Sequence, residues 1–545
     1  MRVTTILFCI FLFSGVVAIC QEVSLYSDSI NNPEFIRKNI TYKRTYPFIN
    51  YNINYLEWNH TNALNPFFEK LRNSSKRKVK ILQIGDSHLQ FDLYTGYARE
   101  QMQHMFGMGG RGLVFPFTAA RTHSAYDYRA YHDGIWEYTR NVLRDMSFDM
   151  GVCGATIHTK DTSAGFKFQF LYGNLRSDFN SIKIFCKTGK KSFDLKIKTS
   201  GLDSFFYVSC KDSTKNYVDV TLPKVGEGVE FYVNKTDSIQ DFFECYGIQM
   251  QTPTDCGVLY NSAGINGAGF SSVLRETKFD QDIKELQPDL VIIDLGANDF
   301  TPYYIDTMSL GNDLKIIINK IKTNWPEACI LVSNTQDMYR RKKNWISCPF
   351  FSELTRNVAM SNQCAFYDYF RVSGGNKSML KWYSNGLAQR DKVHLTFRGY
   401  ETKGELFYNA ILNSYSYYLS KQNPDSLILG EQIVADSVIT AIVKPDKNSL
   451  AYADPNQKTT VQYKSSNTGN TQVKTSNTGQ LKVAATTNKH TNKYVNYKGT
   501  VYYTVQSGDT LWDIANRYKV SVEQIKRLNN LYGSRLDVGM VLLIK

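Results

Sequence analysis

The chain has 545 residues and a formal net charge of +14, with 42% hydrophobic and 14% aromatic residues. This length excludes a single domain and accommodates three, and the apolar content is sufficient for sizeable buried cores. The positive charge suits nucleic acid, an acidic membrane or an acidic wall polymer, so charge alone does not identify the partner.

The N-terminus predicts export. Arg2 precedes an apolar run over 6–13, and small residues follow up to Ala18 and Cys20. This pattern is typical of a signal peptide over 1–20, cleaved after Cys20, and it is too short for a membrane span. A lipoprotein with an acylated Cys20 is the alternative, although bulky Ile19 stands where such sites have a small residue. Export places the protein in the periplasm or cell envelope of a bacterium and argues against a nucleic-acid partner.

The remaining cysteines suggest no metal site, because they form no C-x-x-C pair and no other metal-ligand spacing. We therefore predict no metal and no other cofactor. In an exported protein Cys186–Cys210 and Cys245–Cys256 are conceivable disulfides, and free buried thiols are the alternative.

Residues 21–75 are polar and aromatic with little periodicity, and we interpret them as an N-terminal extension. The apolar run over 79–84 then predicts a buried strand that ends at Gly85. A helix is predicted over 91–105, which places Ser87 near a helix N-terminus and at the carboxyl end of a strand. Ser87 is therefore either a nucleophile or a helix cap.

Four glycines between Gly107 and Gly112 predict a loop that shapes structure or substrate. Residues 115–255 then change character, because short alternating strands rich in aromatic residues indicate a β-sandwich. Strands are predicted at 192–198, 205–208, 229–233 and 246–250. The sandwich is inserted into an α/β domain that covers 76–114 and 256–420.

The α/β pattern resumes with a strand from Gly257 and a helix that ends at about Leu286. Further strands are predicted at 290–295, 329–333 and 365–369, with helices at about 309–323, 350–362 and 397–419. Strands that alternate with helices predict a parallel, doubly wound sheet.

Residues 421–499 are predicted to be a basic, flexible linker, since no Asp or Glu occurs between Asp454 and Asp509. Residues 500–545 form a last compact domain. Its pattern predicts a strand over 501–505, two helices and a closing strand over 540–544, a β-α-α-β plan.

The candidate catalytic residues are those that acyl transfer requires. Ser87 supplies a nucleophile, His394 a base, and Asp391 lies three residues earlier, where it can orient that base. Gly267 and Asn298 both follow predicted strands, so they can meet Ser87 at one sheet edge as oxyanion donors. Taken singly, His394 is also a plausible loop residue and Asn298 a plausible turn former.

These residues resemble the four blocks of the SGNH (GDSL) hydrolases: Gly85-Asp86-Ser87, Gly267, Gly296-Ala297-Asn298-Asp299 and Asp391-x-x-His394. The resemblance implies an SGNH-type parallel sheet, a triad of Ser87, His394 and Asp391, and an oxyanion hole of Ser87, Gly267 and Asn298. Gly264 competes with Gly267 for the glycine role, and His88 stands where many members carry leucine.

Two further resemblances concern the substrate. Gly-Asp-Ser-His, the glycine-rich segment and the inserted sandwich resemble the peptidoglycan O-acetylesterases, whose insert is similar to a carbohydrate-binding module. The C-terminal domain resembles LysM domains, through Gly508-Asp509-Thr510-Leu511-Trp512 and Asn529. That resemblance implies binding to N-acetylglucosamine-containing glycan in a groove between the residues Gly508, Asp509, Thr510 and Leu511 and the residues Asn530 and Leu531.

We therefore expect a secreted serine esterase that removes O-acetyl groups from peptidoglycan through an acetyl-enzyme, with peptidoglycan or a related glycan as partner. An O-acetyltransferase, an esterase on another acetylated glycan and a non-catalytic wall-binding protein remain alternatives. The oligomeric state is left open.

Overall fold

The computed structural model describes residues 29–58, 61–171, 178–340, 343–422, 494–495, 501–505, 509–529, 536 and 541–544. The chain divides into two compact units, Met1–Leu427 and Ile428–Lys545. The predicted signal peptide and nearly all of the predicted linker lie outside the described residues, and both stay predictions.

The first unit combines helices with many short strands. Its strands are, in chain order, β1 (Lys78–Gly85), β2 (Met108–Gly110), β3 (Gly112–Val114), β4 (Tyr128–Asp133), β5 (Glu137–Arg140), β6 (Ala155–Thr159), β7 (Gly165–Phe170), β8 (Ser181–Cys186), β9 (Asp194–Thr199), β10 (Phe206–Val208), β11 (Tyr217–Thr221), β12 (Gly228–Asn234), β13 (Phe243–Gln251), β14 (Gly257–Gly264), β15 (Leu290–Asp294), β16 (Cys329–Ser333), β17 (Tyr339–Arg340), β18 (Lys343–Asn344) and β19 (Ala365–Tyr367). Its α-helices are α1 (Pro33–Lys38), α2 (Asn65–Arg72), α3 (Ser87–Gln90), α4 (Leu93–Phe106), α5 (Phe270–Val273), α6 (Phe279–Leu286), α7 (Thr307–Asn324), α8 (Cys348–Ser361), α9 (Tyr369–Val372), α10 (Ser378–Ser384) and α11 (Phe397–Gln422).

A six-stranded sheet in the order β19-β16-β15-β1-β14-β2 forms the centre of this unit. Every neighbouring pair in it is parallel. The chain extends the sheet on one side of β1 through β14 and on the other side through β15, so β1 lies where the winding direction changes. This arrangement confirms the predicted doubly wound α/β fold, and it makes the carboxyl end of β1 the expected place for a site.

Both faces of this sheet are buried, which explains the nearly continuous apolar runs in its strands. Leu82 and Ile84 of β1 belong to a core that continues into the inserted strands. Val79 and Ile81, which point the other way, belong to a second core built with the N-terminal segment, α4 and α11. Strand β1 is therefore held from both sides immediately before it reaches Ser87.

The inserted strands form two antiparallel sheets, ordered β10-β9-β12-β7-β4 and β11-β8-β13-β6-β5. Inward side chains of both sheets share one core, in which the Trp136 and Phe166 ring centroids are 5.9 Å apart. The insertion of a β-sandwich into the α/β fold is thus confirmed.

The glycine-rich segment does not form the loop that was predicted. Strand β2 adds to the edge of the parallel sheet beside β14, and β3 pairs with β13 of the insert. Glycine is needed here for close approach of chains, since a Cβ on Gly112, which has φ +82°, would lie 2.2 Å from the Tyr260 carbonyl oxygen. The glycines therefore allow the chain to pass from one sheet to the other.

A buried ion-pair network joins the α/β part to the insert. Arg111, between β2 and β3, contacts Asp92 at 2.7 Å and Asp127 at 2.6 Å, and Arg99 of α4 contacts the same two carboxylates at 3.0 and 3.4 Å. Burial opposes ionisation of Asp92, but the two guanidinium groups outweigh it and hold its pKa below the ordinary value. These charged side chains are buried away from water, so removal of one would leave an uncompensated buried charge on its partners.

The predicted helices are mostly present. The helix predicted over 91–105 is α4, and a separate short helix, α3, precedes it. Asp92 has a left-handed backbone with φ 54° and separates the four-residue helix α3 from α4. Ser87 thus begins its own short helix, not the long one. The helix predicted up to Leu286 is divided into α5 and α6.

The second unit contains β20 (Tyr494–Val495), β21 (Val501–Thr504), α12 (Leu511–Tyr518), α13 (Val522–Leu528) and β22 (Val541–Leu543). The three strands form one sheet in that order. Ile514, Ile525 and Leu542 are fully buried between sheet and helices. The predicted β-α-α-β plan is present, and β20 adds a strand from within the stretch predicted as linker.

Neither of the two conceivable disulfides is formed. Cys186, Cys210 and Cys245 are buried free thiols, as are Cys153, Cys329, Cys348 and Cys364. Burial raises the pKa of the Cys245 thiol to about 12, which keeps it protonated.

Within the described part of the chain, no helix has the length and apolarity that a membrane span requires.

Candidate active site

The candidate nucleophile lies on a tight turn at the carboxyl end of β1. Asp86 Oδ1 accepts a hydrogen bond from the His88 N–H at 2.9 Å, and the Asp86 carbonyl accepts from Leu89 and Gln90. Gly85 permits the turn, because a Cβ there would lie 2.7 Å from the Asp294 carbonyl oxygen. Ser87 is the first residue of α3, a position whose N–H has no partner within the helix.

Ser87, His394 and Asp391 form a continuous hydrogen-bonded series. Ser87 Oγ lies 3.0 Å from His394 Nε2, and His394 Nδ1 lies 2.7 Å from Asp391 Oδ2. Asp391 Oδ1 accepts the backbone N–H groups of Val393 and His394, each at 3.0 Å. The Asp391 carboxylate thus stabilises the conformation of the loop on which it lies and holds the His394 ring that faces Ser87.

The charges of this series favour a basic imidazole. The hydrogen bond that His394 Nδ1 donates to Asp391 raises the pKa of His394 above its ordinary value, although burial acts in the other direction. Burial opposes ionisation of Asp391, but the hydrogen bonds from His394 and from backbone N–H groups outweigh it and lower its pKa. An ionised Asp391 beside His394 is the arrangement that stabilises an imidazolium.

Gly267 and Asn298 lie together at the same sheet edge. Gly267 occupies the turn after β14 with φ +86°, and the Asn298 Nδ2 amide donates to the adjacent Ala268 carbonyl at 3.0 Å. This contact uses one of the two amide hydrogens and leaves the other for a ligand. Gly264 is instead the last residue of β14, opposite Gly85, where a Cβ would lie 2.6 Å from Leu89 Cβ.

Asp299 was quoted in the motif but given no role. It is half-buried, and its Oδ1 accepts the Phe270 N–H at 2.7 Å, which fixes the start of α5 just after the Gly267 turn. Burial raises the pKa of Asp299 to about 7, and burial likewise raises the pKa of Asp86 to about 6. Sequence reasoning also gave no role to His88 and did not identify Gln336 or Tyr400, which contact it. Pairing between segments so far apart in the chain leaves no local pattern.

The predicted glycan groove of the second unit is only partly described. Gly508, Asn530 and Leu531 lie outside the described residues. Asp509 accepts a hydrogen bond from the Tyr503 hydroxyl at 2.5 Å, and Thr510 caps α12 through the Asp513 N–H. The Leu511 side chain is buried in the core of the unit.

Two family models match the chain. Residues 248–402 match the GDSL-like Lipase/Acylhydrolase family, a range that contains Gly267, Asn298, Asp391 and His394 but not Ser87. Residues 503–545 match the LysM domain. Both predicted resemblances are thereby confirmed.

Among solved structures, a peptidoglycan O-acetylesterase has the same fold. It is 21% identical with a TM-score of 0.52, and the match covers 64% of this chain and 95% of that one.

The curated relatives match this chain over short stretches. A probable N-acetylmuramidase of Lactococcus lactis subsp. cremoris is 52% identical over 42 residues, which are 8% of this chain and 10% of the relative. The uncharacterized protein YkzQ of Bacillus subtilis is 38% identical over 58 residues, 10% of this chain and 77% of that protein. The chain thus spans only 10% of the length of the muramidase that it matches.

Proposed function

We propose that this chain, whose residues 248–402 belong to the GDSL-like lipases and acylhydrolases and whose residues 503–545 form a LysM domain, is an exported serine esterase that removes O-acetyl groups from peptidoglycan. The observation that carries this proposal is the series from Ser87 Oγ through His394 to Asp391, at 3.0 and 2.7 Å. A serine, an imidazole and a carboxylate in this order are the groups that acyl transfer to a hydroxyl requires.

The proposed reaction has two balanced steps. Ser87 Oγ bonds to the acetyl carbonyl carbon while its proton moves to His394 Nε2, and the bond from that carbon to the sugar oxygen then breaks. The sugar oxygen takes the proton from His394 and leaves as a hydroxyl. Water then bonds to the acetyl carbon and gives one proton to His394, which passes it to Ser87 Oγ as the bond from Oγ to that carbon breaks. Acetic acid departs and loses its remaining proton to the solvent as acetate.

The negative oxygen that forms in each step needs donors. We assign this role to the N–H groups of Ser87 and Gly267 and to the free amide hydrogen of Asn298. The Asn298–Ala268 contact holds the Gly267 turn in place before substrate arrives, and donors fixed in advance need no reorganisation during the reaction.

Peptidoglycan is the favoured substrate because of the structural neighbour of this fold and the LysM domain of this chain. A structural neighbour of the same fold is a peptidoglycan O-acetylesterase, and the curated relatives include a probable N-acetylmuramidase. We therefore infer that the LysM domain binds the wall glycan. Binding there would raise the effective concentration of the esterase at its substrate.

We extend the proposal to the insert, as a module that contacts the same glycan. Lys196 of β9 pairs with Tyr207 of β10 on one side and with Tyr232 of β12 on the other. Tyr207 is 69% exposed, and the Lys196 ammonium lies 5.8 Å from the Tyr232 ring centroid. Lys196 and Tyr232 are half-buried. A partly exposed row of two aromatic rings and an ammonium group offers apolar faces to sugar rings and a cation to glycan carboxylates.

The test is acetate release from O-acetylated peptidoglycan by the mature protein and by Ser87→Ala. The proposal predicts release by the wild type alone, while both proteins pellet with peptidoglycan. An acetylated sugar acceptor formed without free acetate would indicate a transferase. Acetate release from another acetylated glycan, and not from peptidoglycan, would show that the substrate is that glycan. Pelleting with peptidoglycan without free acetate or an acetylated acceptor would indicate a non-catalytic binding protein.

A further inference from the structure

His88, which follows the nucleophile directly, is almost completely enclosed at 3% exposure. Its Nε2 lies 3.2 Å from the Gln336 side-chain nitrogen, and its Nδ1 lies 3.0 Å from the Tyr400 hydroxyl. Gln336 and Tyr400 are equally buried, at 1% and 4% exposure. An imidazole with a partner on each ring nitrogen is held in one orientation.

The contacts of Gln336 determine which nitrogen of His88 carries the proton. The Gln336 nitrogen also lies 2.9 Å from the Val393 carbonyl oxygen. A carbonyl only accepts, so this atom is the NH₂ group, and its second hydrogen points to His88 Nε2. Nε2 is therefore an acceptor, and the proton of the neutral ring is on Nδ1, where it donates to the Tyr400 hydroxyl.

The same contacts connect the nucleophile turn to the base. Val393 immediately precedes His394, so Gln336 joins the residue after Ser87 to the residue before the base. The rings of His88 and His394 are also neighbours, with centroids 5.3 Å apart and planes inclined by 34°. Gln336 follows β16 and Tyr400 lies on α11, so four separate segments of the chain meet around this ring.

A charge on His88 would oppose the chemistry. His394 becomes positive when it takes the Ser87 proton, and a second imidazolium beside it would disfavour that state. The titratable groups around the His88 ring are Asp86 on its own turn, His394 and Asp391 on the base loop, and Tyr400 and Lys403 on α11. Burial, together with Lys403 and His394, keeps the pKa of His88 well below its ordinary value.

We propose that His88 is a positioning residue for the base: as a neutral ring it holds Gln336 against the Val393 carbonyl and packs beside His394, which keeps Nε2 of His394 aimed at Ser87. This inference rests on the proposed serine esterase activity. Nothing in it requires His88 to touch the substrate, so its effect should fall on turnover and not on binding.

The first experiment measures kcat and KM of His88→Leu, Gln336→Leu and the double variant on a soluble acetyl ester. Each single change should lower kcat by about 10- to 100-fold and leave KM within about twofold, the signature of lost alignment. The double variant should fall no further than the worse single variant, because both residues act through one contact. Wild-type kcat in both single variants, or multiplied losses in the double variant, would overturn the proposal.

A conservative variant separates positioning from a merely structural role. The His88→Gln side chain can place an oxygen near the former Nε2 and accept from Gln336, so it should retain more kcat than His88→Leu. Equal kcat in these two variants would contradict the proposal. His104→Leu, at an exposed position on α4, serves as the matched control, and thermal unfolding of each variant checks that it is folded.

The pH profile supplies a second readout. Since His88 does not titrate in the active range, the acid limb of kcat/KM should keep the same steepness in His88→Leu. If the slope of the acid limb decreased by one proton in His88→Leu, His88 would titrate in the wild type, and the neutral assignment would be overturned. If the wild type releases no acetate from any ester, the proposed function fails instead, and the two failures are thus distinguishable.

Discussion

Ser87 Oγ lies 3.0 Å from His394 Nε2, although 307 positions separate the two residues in the chain. The first follows β1 at the centre of the parallel sheet, and the second lies in the loop between α10 and α11. Because β1 is clamped between two cores and the His394 loop is closed by Asp391, both side chains are held in place before substrate arrives.

Asp391→Asn should change the pH dependence of activity. His394 must be neutral to accept the Ser87 proton, so kcat/KM should rise with pH through the His394 pKa, which Asp391 holds above the ordinary 6.5. Removing the carboxylate should move the midpoint to lower pH and reduce kcat by on the order of 10⁴-fold. The pH profile on an aryl acetate measures both, and an unmoved midpoint would contradict the assignment of Asp391.

Asn298→Ala should reduce kcat by about 10²- to 10³-fold, the effect of losing one oxyanion donor. The variant also loses the contact to the Ala268 carbonyl that supports the Gly267 turn. Asn357→Ala, on the exposed side of α8, is the control and should leave kcat unchanged. Equal values of kcat for the two variants would contradict the assignment of Asn298 to the proposed oxyanion hole.

Arg111→Met should destabilise the first unit by about 3–5 kcal/mol, because Asp92 and Asp127 would then be buried with a single guanidinium between them. Denaturant unfolding measures this loss. Arg144→Met, at an exposed position, should change the free energy of unfolding by less than about 0.5 kcal/mol. Similar midpoints for both variants would show that the network contributes little.

Deletion of residues 500–545 should weaken pelleting with peptidoglycan and leave kcat on a soluble acetyl ester unchanged, because the deleted domain belongs to a separate compact unit. The ratio of activity on insoluble wall to activity on the soluble ester is the relevant measurement. Undiminished pelleting of the deletion variant would assign wall binding to another part of the chain.

Tyr207→Ala and Tyr232→Ala should weaken binding of the LysM-deleted protein to peptidoglycan fragments. Both changes remove a ring beside Lys196 on the outer face of the insert. Calorimetric titration measures the affinity, and Tyr304→Ala, an exposed tyrosine outside the insert, is the control. If all three variants bind equally, the row is not a glycan surface.

Much of the fold could be predicted because local patterns determine it. The strands that precede Ser87 and Asn298 are short, apolar and ended by glycine, and all of them form. The glycine-rich segment was predicted wrongly. Strands β2 and β3 exist through pairing with β14 and β13, which lie far along the chain, and not through their own propensity.

The residues around the site were harder to predict than the three residues of the proposed triad. Ser87, Asn298 and His394 stand in short motifs, whereas His88 meets Gln336 across 248 positions and Tyr400 across 312. Only the folded chain brings these side chains together, so their contacts and the neutral state of His88 could not be predicted from spacing.

The central claim is that Ser87 carries the acetyl group during turnover. The direct measurement is mass spectrometry of protein quenched in acid during reaction with a substrate bearing an isotopically labelled acetyl group. We predict label on the peptide that contains Ser87 and none in Ser87→Ala. Turnover of the labelled substrate with label on another residue, or with equal release by Ser87→Ala, would contradict the account.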